Sequence, residues 1–198
     1  VMEESSWNDW SLPLSGKTII LDPGHGGPDG GAYVNGVAEK DISLDISKML
    51  RDYLQGQGAM VIMTREEDQD LAGGVDGYRA RKRVDLQKRV DLINETEADL
   101  YLSIHLNAFP SGSSSGAQTF YTLRFKENKQ IAKLIQKELK DNLQNTKREA
   151  KSIDQVYLMK YAKKPGALVE VGFLSNAKER EALQDPDYQV QIAASIYE

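Results

Sequence analysis

The sequence predicts an α/β domain, in which a mostly parallel, twisted sheet of about six strands carries helices on both faces. Short apolar runs alternate along the chain with longer segments whose apolar residues recur at helical spacing, and this alternation is typical of parallel sheets. The composition, 40% hydrophobic and 28% charged, is that of a soluble globular protein. A length of 198 residues gives room for one domain with a sizeable core.

The first part of the chain predicts two strands and two helices. They are a buried strand over residues 17–22, a helix over 40–57, a strand over 59–64 and a helix over 78–94. The first helix has apolar residues at Ile42, Leu44, Ile46, Met49, Leu50 and Leu54, and Gly58 marks its end. The second has a basic outer face, with a run of charges over 79–83 that is usually solvated or meets an acidic partner. The polar segment 65–77 contains glycines and predicts a mobile loop.

The second part continues the alternation. It predicts a strand over 99–104, a loop over 109–116, a strand over 117–123 that fits the edge of the sheet, a helix over 126–143, a short extended piece over 156–159, a last strand over 166–171, and closing helices over 176–183 and 186–197. Strands separated by helices in this way place the ligand site beyond the carboxyl ends of the strands.

The two ends of the chain read differently from its middle. Residues 1–16 are polar and lack periodicity, so we expect a leader or tether there and a single domain over 17–198. The chain begins with Val1 rather than Met, which suggests that an N-terminal signal or anchor has been removed. No apolar stretch approaches the ~20 residues of a membrane helix, and the final residues resemble an unfinished helix.

Several classes of function are disfavoured. The net charge of −5 argues against a nucleic-acid-binding protein, which normally shows a basic patch. The absence of cysteine excludes disulfides, thiolate metal sites and a cysteine nucleophile. The segment GHGGPD lacks the third glycine of a dinucleotide-binding loop, and neither a phosphate loop nor a Gly-x-Ser-x-Gly elbow occurs.

The chain contains two histidines, and both lie where a parallel strand is expected to end. His25 follows the strand over 17–22, and His105 follows the strand over 99–104. Neutral imidazole is the commonest protein metal ligand, and a catalytic zinc takes three protein ligands. Glu39, after the glycine-rich loop, is our candidate for the third. Each of these residues has another interpretation. His25 could be an incidental loop residue, and His105 could be a core histidine whose hydrogen bonds are satisfied. Glu39 could serve only as a favourable charge at the N-terminus of its helix.

Glu170 interrupts the apolar run ALVEVGFL. Because charged residues are rarely buried without a partner, we interpret it as a general base beside a metal, the alternative being a structural partner of an Arg or Lys. Asp22 is placed to orient an imidazole through its second N–H, or to serve as a turn or cap residue. Asn107 is a candidate for binding substrate or for stabilising its turn.

Five motifs in order resemble those of a known enzyme family. They are ILDPGHGG at 20–27, EKD at 39–41, RVDLIN at 89–94, SIHLNA at 103–108 and VEVGFLSN at 169–176. Together they resemble the zinc-dependent N-acetylmuramoyl-L-alanine amidases, the amidase_3 family, over about residues 17–198. The segments 10–17 and 156–159 are most similar to the sporulation and germination amidases of spore-forming bacteria.

The resemblance implies the zinc amidase fold, one zinc ion held by His25, Glu39 and His105, and a catalytic role for Glu170. The implied reaction is hydrolysis of the amide between N-acetylmuramic acid and the L-alanine of the peptidoglycan stem peptide. A sporulation amidase would act on spore-cortex peptidoglycan outside the cytoplasmic membrane, between mother cell and forespore. It would remove peptides on the route to muramic-δ-lactam, which a deacetylase would complete.

Some enzymes of this type need a lipoprotein partner to bind zinc well or to act. For the chain itself we expect a monomer. Two other functions stay open from the residues. One is a peptidoglycan-binding protein with low intrinsic activity that a partner completes. The other is a zinc peptidase of cell-wall peptides, because the same metal chemistry cuts any amide.

Overall fold

The computed structural model describes residues 12–198. Of the leader predicted over residues 1–16, residues 1–11 therefore lie outside the described part of the chain. The elements are, in order, β1 (Thr18–Pro23), β2 (Tyr33–Val34), β3 (Val37–Ala38), α1 (Glu39–Gly56), β4 (Met60–Met63), α2 (Tyr78–Glu95), β5 (Leu100–Asn107), β6 (Gln118–Tyr121), α3 (Lys126–Leu143), β7 (Lys151–Ser152), α4 (Tyr157–Tyr161), β8 (Gly166–Phe173), α5 (Ala177–Leu183) and α6 (Pro186–Tyr197).

The main sheet has six strands in the order β4-β1-β5-β8-β6-β7. Strands β4, β1, β5 and β8 are parallel to one another, whereas β6 runs antiparallel to β8 and parallel to β7. The predicted fold class, a mostly parallel sheet in an α/β domain, is confirmed. The edge position predicted for the strand over 117–123 is wrong, because the short strand β7 pairs with β6 and covers it.

The two faces of the sheet pack against different helices. Alternate residues of β1 and β5 point to opposite faces of the sheet. On one face, Leu21 and Ile104 belong to a large core with α1, α3 and α6. On the other face, Ile20 and Tyr101 pack with α2 and α4. These central strands are buried on both faces, which explains their continuous apolar runs.

Three short elements depart from the prediction. The extended piece expected over 156–159 is wrong, because the chain forms the helix α4 there. A four-residue apolar run has no resolvable period, and packing of Leu158 into the smaller core decides its conformation. The β2–β3 hairpin turns at Asn35 and Gly36, both with positive φ, and an Asn-Gly pair is a hairpin signal. Neither this hairpin nor β7 is among the predicted elements.

The long helices follow the prediction to within a residue or two at most ends. In the described part of the chain, none of them is both long and apolar enough to cross a membrane. Strands β5 and β8 continue beyond their predicted ends. As a result, His105 lies inside β5 rather than after it, whereas Glu170 lies within β8 as it did within the predicted strand.

Candidate metal centre

The first histidine lies on a tight loop after β1. The backbone of His25 has a φ of 63°, a left-handed conformation that is uncommon outside glycine. Gly24 is packed against the imidazole of His105, so that a Cβ atom at Gly24 would lie 2.3 Å from Cε1 of that ring. Only glycine lets the loop approach β5 this closely, and this approach brings the two histidines together.

His25, Glu39 and His105 form one cluster. Oε1 of Glu39 lies 3.2 Å from Nε2 of His25 and 2.8 Å from Nδ1 of His105, and the three ligand atoms all lie within 4.8 Å of one another. The imidazole side chains are 18% and 20% exposed, so the cluster can be reached from solvent. Two imidazoles and a carboxylate are a donor set that suits a catalytic zinc with an open position.

Glu39 begins α1, and its carboxylate is held by main-chain donors. Oε2 accepts from the N–H of Ala32 at 2.8 Å, and Oε1 accepts from the N–H of Leu106 at 2.9 Å. The side chain is buried, which disfavours its charge, but hydrogen bonds and the charges of His105 and His25 lower its pKa well below the ordinary value. The carboxylate therefore stays ionised and oriented towards both rings.

A second carboxylate, Asp29, holds the outer nitrogen of His25. Its Oδ2 lies 2.9 Å from Nδ1 of His25 and 3.0 Å from the ammonium of Lys82. Burial of His25 disfavours its charged form, but hydrogen bonds to Asp29 and Glu39 and their negative charges raise its pKa to about 9. A carboxylate behind a metal-binding histidine fixes the ring and its tautomer. Asp29 is not among the predicted site residues, and its signal in the sequence is its position four residues after His25 in the glycine-rich loop.

Glu170 lies beside the cluster on β8, in register with His105 on β5. Its Oε2 is buried and has no hydrogen-bond partner among residues 12–198. Burial, together with the negative charge of Glu39, raises the pKa of Glu170 to about 7, although both histidines act in the opposite direction. The alternative role of Glu170 is that of a structural partner of an Arg or Lys. In the described part of the chain, no Arg or Lys forms an ion pair with it, in contrast to Asp22 and Asp85.

Asp22 does not orient an imidazole, contrary to the prediction. Its carboxylate accepts hydrogen bonds from Thr64, Ser103 and Arg89 at 2.6–2.9 Å. The physical reason is that Arg89 is fully buried and needs an anionic partner, which Asp22 supplies from the same face of the sheet. Asn107 ends β5, and its carbonyl accepts from the N–H of Leu174; the prediction that its side chain binds substrate stays a prediction.

Two buried arginines hold the loop that carries His25. Arg89 donates to the carbonyl oxygens of Pro23 and His25 at 2.7 and 2.5 Å, and Arg65 donates to those of Pro23 and Gly24 at 3.1 and 2.9 Å. Arg89 lies on α2, so the basic face of that helix is not wholly exposed. In the charged run over 79–83, Lys82 is likewise paired, with Asp29.

Comparison with protein families and known proteins identifies the family of this chain. Residues 19–198 match the family model described as N-acetylmuramoyl-L-alanine amidase. A germination-specific N-acetylmuramoyl-L-alanine amidase of Bacillus subtilis is 60% identical over 193 residues, which cover 97% of this chain and 81% of that protein. The amidase LytC of the same organism is 36% identical over 96% of this chain but only 36% of its own length.

Solved structures of amidases share the fold. The CwlD amidase from Clostridioides difficile, determined in complex with the GerS lipoprotein, superimposes with a TM-score of 0.89 at 42% identity, covering 91% of this chain and 94% of that one. The catalytic domain of CwlV from Bacillus (Paenibacillus) polymyxa gives a TM-score of 0.79 at 28% identity, covering 91% and 94%.

Proposed function

This chain belongs to the N-acetylmuramoyl-L-alanine amidase family, and from that premise we propose that His25, Glu39 and His105 hold one catalytic zinc ion and that Glu170 moves the protons. The enzyme hydrolyses the amide between N-acetylmuramic acid and L-alanine of the peptidoglycan stem peptide. The observation that carries the site assignment is the convergence of two imidazoles and one carboxylate within 4.8 Å. Beside them lies Glu170, whose buried Oε2 has no hydrogen-bond partner among residues 12–198.

The donor set supports zinc rather than a hard cation. Magnesium and calcium prefer oxygen ligands, whereas zinc takes imidazole nitrogen and carboxylate oxygen, with three protein ligands in catalytic sites. When bound, zinc supplies Lewis-acid polarisation of a carbonyl and acidifies water. Asp29 behind His25 and the main-chain N–H groups behind Glu39 keep both side chains oriented for this task.

Glu170 is suited to act first as a base and then as an acid. A carboxyl group with a pKa of about 7 exchanges its proton readily near neutral pH. It would accept the proton of the attacking water and deliver it to the nitrogen of the departing L-alanine. Its Oε2 is buried and has no hydrogen-bond partner among the described residues, so none of their polar groups competes for the proton there.

The biological substrate that we propose is spore-cortex peptidoglycan. The support is the 60% identity to the germination-specific amidase of Bacillus subtilis and the structural match to the CwlD amidase. We place the enzyme between the mother cell and the forespore, where it removes peptides before a deacetylase completes muramic-δ-lactam. We assign this activity to a single domain over residues 17–198, working as a monomer in its catalytic step.

A lipoprotein partner that promotes activity is part of this proposal. The supporting observation is that the CwlD amidase was determined with the GerS lipoprotein bound. Coupling of this kind would act through the zinc site, because a partner that binds the zinc-loaded form more tightly raises zinc affinity by the same factor.

The deciding experiment is digestion of purified cortex peptidoglycan, with and without added zinc, followed by mass analysis of the products. Release of intact stem peptides that begin with L-alanine, dependent on zinc, supports the proposal. Cleavage within the peptide would instead identify a zinc peptidase. Bound zinc without any product would point to a protein that needs its partner for turnover.

A further inference from the structure

A row of polar side chains crosses the sheet on both sides of Glu170. His105 pairs with Glu170 across β5 and β8, and Gln118 of β6 pairs with Glu170 from the other side. Directly opposed residues share a face, with Cβ atoms about 4.5–5.5 Å apart. Gln118 therefore borders Glu170 on the side away from the metal cluster, at a place where substrate that extends past the catalytic glutamate would lie.

Arg148 lies beside Gln118 and is held by neutral groups. Its Nη1 donates to Oε1 of Gln118 at 3.2 Å, and its Nε donates to the carbonyl oxygen of Ser115 at 2.9 Å. The guanidinium carbon lies 4.9 Å from the ring centroid of Phe173, at the end of β8. Within residues 12–198, Arg148 forms no salt bridge, in contrast to Arg81 and Arg89.

The acidic groups near Arg148 are engaged elsewhere. Glu179 is close enough for the charge of Arg148 to act on it, yet burial raises its pKa and its oxygens accept the N–H groups of Gly116 and Phe173. Glu149 is bonded to Lys140 of α3. A guanidinium fixed by neutral acceptors and an aromatic face keeps its charge and its remaining N–H donors for an external anion.

An open cleft adjoins this guanidinium. It has a volume of about 550 Å³ and is lined by Ser115, Gln144, Asn145, Thr146, Lys147 and Arg148. Lys147 is exposed and has no ion pair in the described part of the chain. Phe109, which is 48% exposed, lies 5.3 Å from Phe173 between ring centroids. The cleft thus offers two cations, Lys147 and Arg148.

We propose that this cleft binds the peptide portion of the substrate, with Arg148 receiving a peptide carboxylate. The inference rests on the proposed function, because it starts from an amide held between the metal cluster and Glu170. The row His105–Glu170–Gln118 then leads from the scissile bond towards Arg148, so the leaving peptide extends into the cleft and the sugar lies on the other side. Arg148 is a specificity-determining residue: it selects peptides that carry a carboxylate beyond the L-alanine.

The test compares two soluble muramoyl-peptide substrates that differ only in one group, a carboxylate or a carboxamide on the residue that follows L-alanine. Arg148→Gln should raise KM for the carboxylate substrate about tenfold, since a charge-assisted hydrogen bond is lost, while kcat changes less than twofold. Kinetics on the carboxamide substrate should be the same for both proteins, and Arg148→Lys should fall between them. The matched control is Arg124→Gln, which removes an arginine bonded to a carbonyl beyond the opposite end of β6 and should leave KM unchanged.

The unmodified enzyme provides an independent readout if Arg148→Gln folds poorly: it should prefer the carboxylate substrate about tenfold, less so at high salt. Equal use of both substrates by the unmodified enzyme would overturn the inference while leaving the amidase activity established. Equal losses on both substrates in a folded Arg148→Gln protein would also overturn it. If zinc is bound and the lipoprotein partner is present, failure to hydrolyse either substrate would instead count against the proposed function.

Discussion

His105 and Glu170 face each other in register on the adjacent parallel strands β5 and β8. Neighbouring strands lie about 4.8 Å apart, and paired side chains share one face of the sheet. One strand therefore supplies a candidate metal ligand and the next supplies the candidate base. Both strands are central and buried. This burial removes water from around Glu170 and raises its pKa to about 7.

The role of Glu170 predicts a loss of turnover without a loss of metal. Glu170→Gln keeps the shape of the side chain but removes its ability to accept a proton, so kcat should fall about 10²–10⁴-fold. Zinc content, measured by atomic absorption on the same sample, should stay at the level of the unmodified protein. Full activity in this variant would remove Glu170 from the reaction.

The role of His105 predicts the opposite pattern. His105→Ala removes one of the three donors within 4.8 Å, so zinc affinity should fall steeply, and activity should return only at high zinc concentration. The measurement is competition with a chromophoric chelator. Asn107→Ala, on the same strand, is the matched control and should keep normal zinc affinity. An unchanged affinity in His105→Ala would exclude His105 as a ligand.

Asp29 is expected to affect zinc affinity indirectly, through its hold on His25. Asp29→Asn weakens the hold on Nδ1 of His25 without touching a proposed ligand, and loss of such a partner typically costs 10–100-fold in metal affinity. Activity at saturating zinc should largely recover. Asp68→Asn is the control, because Asp68 is bonded to Gly27 and Lys40 in the same region and not to either histidine. Identical zinc affinities in the two variants would contradict the assigned role.

The raised pKa of His25 predicts a pH dependence of stability in the metal-free protein. The pKa is about 9 in the fold and 6.5 without it, so the folded state binds the proton more tightly. The resulting stabilisation is complete below pH 6.5 and is lost as the pH rises through 9. Thermal unfolding of chelator-treated protein should show Tm decreasing over this window, with a smaller decrease in Asp29→Asn. A Tm that rises over the same window would contradict the prediction.

Substitution of Arg89 is expected to lower the stability of the fold strongly. It pairs with Asp22 and Asp85 inside the protein, and Arg89→Met would leave these buried carboxylates without their cation. The free energy of unfolding should fall by about 3–5 kcal/mol, as measured by urea denaturation. Arg83→Met, at an exposed position of the same helix, should change it by less than about 0.5 kcal/mol. Similar values for the two variants would show that the buried ion pairs contribute little.

Long elements were predictable because each carries its own periodic signal. The 18-residue helices α1 and α3 span several turns, so their apolar positions repeat often enough to be recognised. The five-residue helix α4 and the two-residue strand β7 have no such repeat. Packing of Leu158 into the smaller core and pairing of β7 with β6 determine them, and neither contact is visible in the local pattern.

The sequence by itself determined the parallel sheet and the chemical groups available at the ends of its strands, because the alternation of strands and helices along the chain depends on local composition. Only the tertiary structure decided how those groups are paired. Asp22 and Asp29 both lie within four residues of His25, yet Asp29 bonds its imidazole while Asp22 compensates Arg89. The reason is energetic and non-local: a buried guanidinium from α2 requires a carboxylate, and which one it meets depends on a helix more than sixty residues away.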